Sequence, residues 1–176
     1  MKEMYRIEAI GLGPSHGTLT IYCAPRAVIR HIEWTISNVF GAPIELKWKP
    51  LSIQPTNYWT TFIWRGPSGS AALLASELSG WHYLRFEIHE ASSASDQGSM
   101  YFFVPELGIY RGATNAHGDL MINEHQVSAI VREHRCESDV ITEIERALGR
   151  PWDEDLECYR RAIIEGDDSH VVKISV

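Results

Sequence analysis

The sequence lacks long apolar runs and contains only three cysteines. No segment approaches the roughly 20 apolar residues that a helix needs to cross a bilayer. The first residues show no basic stretch followed by an apolar run, the pattern of a signal peptide. Cys23, Cys136 and Cys158 have no CxxC spacing, and an odd, irregular set is typical of reduced thiols. We therefore expect a cytoplasmic protein that contacts no membrane and needs no disulfide.

Positive charge is also scarce, since 16 Lys and Arg face 23 Asp and Glu, for a net charge of −7. Binding to nucleic acid relies on basic residues that neutralise phosphates, so we expect no nucleic-acid partner. Two common catalytic motifs are missing as well, the GxSxG nucleophile elbow and the GxxxxGK[ST] phosphate loop. The sequence predicts no cofactor and no metal.

The strongest positive signal is the order of elements between residues 17 and 90. Alternating and helical hydrophobic spacings predict strand, helix, strand, strand, helix and strand, at residues 18–23, 25–40, 44–49, 58–64, 70–79 and 81–89. This βαββαβ order predicts an α+β protein with a ferredoxin-like core, in which two helices cover one face of an antiparallel sheet.

Several details of this core follow from the pattern. In the first strand Leu19, Ile21 and Cys23 alternate with polar residues and should share the buried face. The glycine-rich residues 11–17 predict a loop, and Pro50 and Pro55 predict a loop between the second and third strands. Ser68 is placed to cap the second helix.

The third strand is apolar on both faces, so the second face of the sheet needs a cover. Residues 100–104 and 107–111 predict a β-hairpin, residues 123–134, 138–149 and 151 onward predict helices, and residues 171–176 predict a last strand. We expect the C-terminal helices to pack on the sheet. The whole chain, residues 1–176, is then one domain, with the core at 17–90, a C-terminal elaboration at 100–176 and an extension at 1–16.

Two positions could carry catalysis, His117 and Asp119 in the segment NAHGD. A histidine can act as acid or base near neutral pH, and a carboxylate can orient it or share a metal. The alternative is a turn in which Asp119 binds backbone N–H groups and His117 packs.

Four further residues could bind a ligand. Arg85 and Glu87 share a face of the fourth strand, where Arg85 could bind an anion or pair with Glu87 across the sheet. His31 lies on the first helix, and Trp81 lies where the second helix meets the fourth strand. Trp81 would serve as a core residue or as a stacking platform.

A series of short segments also follows a distinctive order. They are HIEW at residues 31–34, GAP at 41–43, Trp48, GW at 80–81, LRFE at 84–87, LGI at 107–109, HGD at 117–119, LG at 148–149, WDEDLE at 152–157 and YR at 159–160. In this order they resemble a family of small actinobacterial proteins of unknown function, the domain-of-unknown-function family 3145. The resemblance covers about residues 17–160 and implies a cytoplasmic protein built as one domain. It implies no activity, cofactor or catalytic residue.

Two functions stay open from the sequence. One is a non-enzymatic module that binds a small molecule or a protein and acts as a monomer or a homodimer. The other is a small enzyme in which His117 and Asp119 perform acid–base or metal-assisted chemistry.

Overall fold

The computed structural model describes residues 14–93, 96–134 and 136–168. Its strands are β1 (Pro14–Pro25), β2 (Lys49–Leu51), β3 (Gln54–Pro67), β4 (Arg85–Glu90), β5 (Gly98–Val104), β6 (Gly108–Thr114) and β7 (Leu120–Met121). Its α-helices are α1 (Ile29–Phe40), α2 (Ser70–Leu78), α3 (Glu124–Glu133), α4 (Glu137–Ala147) and α5 (Arg150–Asp168). The part of the predicted extension at residues 1–13 and the predicted strand at 171–176 lie outside the described residues.

The seven strands form one antiparallel sheet in the order β2-β3-β1-β4-β5-β6-β7. A mixed α/β protein with an antiparallel sheet is therefore confirmed. Alternate residues of each strand point to opposite faces, and β5 shows both: Phe103 packs with α1 and α2, whereas Phe102 packs with α5. The described residues thus form two apolar cores, one on each face of the sheet.

A β-bulge in β1 departs from the predicted alternation. The register with β3 and β4 shifts between Ile21 and Ala24, so that Tyr22 and Cys23 both join the core under α5. The expectation that Cys23 shares a face with Ile21 is therefore wrong. The bulge adds one residue to the strand and turns two consecutive side chains to the same side.

The second strand also differs from its prediction. Residues 44–48 are not in a ladder, and β2 occupies Lys49–Leu51, of which only Lys49 belongs to the predicted strand and the other two residues to the predicted loop. The reason is that side chains of α1 take backbone donors of this segment. Glu33 accepts a hydrogen bond from the Leu46 amide at 3.1 Å, and Ser37 accepts one from the Ile44 amide at 2.9 Å. Residues 14–17, expected as part of a loop, are paired in β1.

The cover of the second face is partial. Only α5, among the C-terminal helices, contributes buried residues to a core, including Trp152, Leu156 and Tyr159. Neither α3 nor α4, whose side chains are all described, buries any. The expectation that β3 is buried on both faces is wrong too, because Ile63 is 76% exposed on this side of the sheet.

A buried carboxylate caps α2, although Ser68 was the predicted cap. Glu90, only 4% exposed, accepts hydrogen bonds from the amides of Gly69 at 2.8 Å and Ala71 at 2.9 Å. Helix N-termini leave such amides without partners inside the helix, and their dipole favours a negative charge. Ser68 instead donates to Asp96. The cap therefore comes from the end of β4 and ties α2 to the sheet.

Replacing this carboxylate tests the cap. We expect Glu90→Ala to lower the free energy of unfolding in urea by about 2–4 kcal/mol, because two charge-assisted bonds are lost and the amide of Ala71 stays buried without a partner from Glu90. Glu77→Ala, at an exposed position of α2, should change it by at most about 0.5 kcal/mol. Equal effects of the two substitutions would contradict this role of Glu90.

Candidate functional site

A groove of about 640 Å³ lies between the second face of the sheet and the start of α5. Its apolar part comes from β5, β7 and the turn before α5, with Met100, Phe102, Leu120 and Leu148. Its charged part comes from β4 and α5, and the charged residues are Glu87, Arg150, Asp153, Glu154 and Arg160. Gly118 also lines the groove. An apolar surface beside a few convergent polar groups is the usual make-up of a small-molecule site.

Arg160 organises the charged part of this groove. Its Nη2 donates to Glu87 Oε2 at 2.7 Å, its Nη1 donates to Asp153 Oδ1 at 2.7 Å, and its Nε donates to the Tyr22 hydroxyl at 3.3 Å. The guanidinium also lies 5.9 Å from the centre of the Phe102 ring, within the range of a cation–π contact. Arg160 therefore joins α5 to β1, β4 and β5 at once.

Burial and charge act on the ionisable groups of this cluster. Burial alone would lower the pKa of the Arg160 guanidinium, but the hydrogen bond and the charge of Glu87 outweigh it and raise that pKa. Burial also raises the pKa of Tyr22, and the nearby Glu87 carboxylate raises it further. The cluster thus holds a charged arginine and a neutral tyrosine.

Arg85 and Glu87 do share a face, yet they bind different partners. Arg85 Nε bonds Asp155 at 3.0 Å, its Nη2 bonds Glu106 at 2.9 Å, and its guanidinium lies over the Tyr159 ring. Glu87 instead pairs with Arg160 at 2.7 Å. Arg85 lies outside the groove lining. Its predicted role as an anion contact stays a prediction, and its donors already serve two carboxylates.

His117 and Asp119 lie in an exposed turn whose Gly118 lines the groove. Asn115 organises this turn, because its Oδ1 accepts from the amides of His117 at 2.8 Å and Asp119 at 3.0 Å, and its Nδ2 donates to Asp119 Oδ2 at 3.0 Å. Asn115, rather than Asp119, thus binds the backbone amides. Only Gly118, between the two candidates, lines the groove.

The remaining two candidates lie on the opposite face of the sheet. His31 stacks on Trp81 with ring centroids 6.1 Å apart, and Trp81 packs against the core formed with α1 and α2. The structure therefore brings Glu87 and the turn of His117 to one groove and leaves His31, Trp81 and Arg85 away from it. Over residues 14–93, 96–134 and 136–168, no group of three or more His, Cys, Asp and Glu is placed to hold a metal ion.

The sequence-based reasoning missed Arg160 and the groove residues of β5 and β7. It also gave Asp153 no partner, whereas this carboxylate binds Arg160. One signal could have revealed the pair: residues seven apart lie on the same face of a helix, two turns from each other. The spacing does not reveal Glu87 as the third member, because this contact joins residues 73 positions apart.

Two neighbouring arginines of α5 allow a test of the cluster. We expect Arg160→Gln to lower the free energy of unfolding by about 2 kcal/mol, because Glu87 loses its partner in a half-buried position. Arg161→Gln is the control, since Arg161 is 71% exposed and pairs with Glu157; it should cost at most about 1 kcal/mol. Urea unfolding measures both free energies. Equal decreases for the two variants would argue against the view that Arg160 and its partners hold α5 to the sheet.

The buried tyrosine predicts a dependence on pH. Tyr22 has a raised pKa in the folded protein, whereas an unfolded tyrosine ionises near its ordinary value of 10.0. The contribution of the neutral Tyr22 side chain to the free energy of unfolding is therefore complete below pH 10. It is lost as the pH rises from 10 towards the pKa that Tyr22 has in the folded protein. We expect urea stability to fall above pH 10 and Tyr22→Phe to reduce that slope. Tyr83→Phe, at a position 42% exposed, should leave the slope unchanged, and a slope unaffected by Tyr22→Phe would contradict the inference.

Comparison with known proteins places the sequence in a family. Neither a curated protein nor a solved structure gives a significant match to it. Among the helices of the described residues, none is long and apolar enough to cross a membrane. The family described as "Protein of unknown function (DUF3145)" matches residues 18–174, which is far more than half of the chain, and confirms the resemblance seen in the short segments. The chain therefore belongs to the DUF3145 family of proteins of unknown function.

Proposed function

We propose that this protein is a non-enzymatic binding module whose ligand site is the groove lined by Phe102 and Arg160. The observation that carries the proposal is the groove itself, with an apolar wall, a charged wall and a volume of about 640 Å³. Sites for small molecules span roughly 300–1,000 Å³ and combine these two kinds of wall. The cytoplasmic location and the state as monomer or homodimer stay predictions.

The layout of the core supports a ferredoxin-like fold for residues 17–90. Strands β2, β3, β1 and β4 are neighbours in that order, and α1 and α2 pack on one face. These are the features of a split βαβ arrangement. The fold alone implies no function, but it leaves the second face of the sheet for the groove.

The hydrogen-bonding groups of the groove favour a ligand that donates. Three carboxylates and two guanidinium groups line it, so the negative charges are in excess. Arg160 already uses its Nε, Nη1 and Nη2 atoms within the protein. Each carboxylate can accept about four hydrogen bonds, so Glu87 and Asp153 keep free acceptor positions. We infer a small organic ligand with an apolar body and an amine or another cationic donor.

The alternative, a small enzyme with His117 and Asp119 as acid–base or metal-binding groups, has one observation in its favour. The two residues flank Gly118, which lines the groove, so a ligand bound against Gly118 would lie close to them. Stoichiometric zinc, manganese or iron in the purified protein would favour this enzyme over the binding module.

Thermal unfolding with pairs of aromatic amines and their matching carboxylic acids tests the proposed ligand class. We expect amines at about 100 times their Kd to raise Tm by roughly 5 °C or more, and the acids to leave it unchanged. Glu154→Gln should reduce the amine response because it removes one acceptor charge from the groove. Glu77→Gln, an exposed residue of α2, is the matched control.

A second variant tests the position of the site. Leu148 lines the groove and is 37% exposed, so Leu148→Trp should fill the groove without disturbing the core. The response to amines should then disappear while the Tm of the protein alone stays within a few degrees of its original value. An amine response that survives this substitution, or an equal response to the acids, would contradict the proposed site.

A further inference from the structure

Helices α3 and α4 form a hairpin with little covered surface. All their side chains are described, and none of them is buried. The first helix carries Val127, Ile130 and Val131 at helical spacing, and the second carries Val140, Ile141 and Ile144. Such spacing is that of a helix with one apolar stripe facing a core. Here the two helices lie against each other, and part of each stripe faces solvent.

The exposed part of the stripes is substantial. Val131 is 55% exposed and Ile141 is 50% exposed. Helices of about ten residues are unstable alone and depend on packing of their apolar face. The link to the rest of the protein runs through α4, where Ala147 O accepts a hydrogen bond from the Tyr110 hydroxyl at 2.9 Å. An additional helix laid along the two stripes would complete this packing.

The surroundings of the stripes are acidic. Between residues 124 and 148 the sequence has six acidic and three basic residues. At 100° per residue, Glu143 and Glu145 flank the stripe of α4 on its two sides, and Glu137 precedes it by one turn. Glu145 is bound to Arg150, and Glu137 and Asp139 lie in the first turn of α4.

We propose that the α3–α4 hairpin is a docking surface for a basic amphipathic helix of a partner protein. The apolar side of that helix would pack on the exposed parts of Val131 and Ile141, and its Lys and Arg residues would meet the carboxylates of α4. An amphipathic helix in an apolar groove is a common mode of peptide recognition. The opposite charges would accelerate association and select against acidic partners.

Charge also discriminates among other occupants. A second copy of the chain would bring the same carboxylates against each other across a two-fold axis, because such an interface joins identical patches. Anionic lipid surfaces and nucleic acids carry negative charge and would be repelled in the same way. A basic protein helix combines the two features that the surface requires, an apolar stripe and positive charge.

Fluorescence anisotropy with the whole protein and three labelled peptides provides the test. The first peptide has roughly 18 residues, with Leu at helical spacing and Lys elsewhere. The second has the same composition in scrambled order, and the third carries Glu in place of Lys. We expect the first to bind best and its affinity to fall as salt is added. Val131→Ser and Ile141→Ser should each weaken it by about tenfold.

Two further variants and a measurement of Tm show whether binding depends on this surface and on its charge. Ile164→Ser, at an α5 position that is 63% exposed, should leave binding unchanged. Glu137→Gln with Glu143→Gln should weaken binding and flatten its salt dependence. Unchanged Tm values show that the variants fold. The proposal is overturned by no binding of the first peptide, by equal binding of the scrambled one, or by light scattering that shows Ile141→Ser turning a dimer into a monomer.

Discussion

The attachment of α5 to the second face of the sheet is the contact on which most of the molecule depends. Trp152, Leu156 and Tyr159 cover side chains of β1, β5 and β6 that would otherwise be exposed. Arg160 and Arg85 add polar joints at this interface, each bound to carboxylates and lying over aromatic rings. Partly buried charges need such partners, because an isolated one has a large desolvation cost. The apolar contact and the paired charges thus support each other.

The same contact produces the groove. Helix α5 covers the end of the sheet near Tyr22 and Val104 but leaves Glu87 and Met100 only partly covered. The groove lies where the part of this face that α5 covers meets the part that α5 leaves open. Its charged wall therefore includes Glu87 and Arg160, whose ion pair also holds α5 to β4. A ligand bound there would contact the joint between helix and sheet.

Local patterns predicted most of the elements, and distant contacts explain the rest. Helices α1 and α2, the β5–β6 hairpin and the three C-terminal helices follow from hydrophobic spacing and from signals such as Gly41, which ends α1 with a φ of 66°. The segment at residues 44–48 alternates like a strand, but Glu33 captures one of its amides. Local patterns could not predict the site, because only the complete fold brings Glu87 and Arg160 together. His117 and Asp119, in contrast, are visible as a pair in the sequence because they lie two residues apart.

The bulge in β1 has a consequence for how this strand can change. Its extra residue turns Tyr22 and Cys23 to the side of α5, while Ile21 and Ala24 stay on the side of α1 and α2. Exchanging one side chain here alters a single contact. Deleting Tyr22 or Cys23 would remove the extra residue and restore regular alternation, so that Ile21 and Ala24 would keep their side while α5 would meet one side chain of this pair instead of two. The bulge therefore lets β1 give two consecutive side chains to the core under α5 without removing any from the core under α1 and α2.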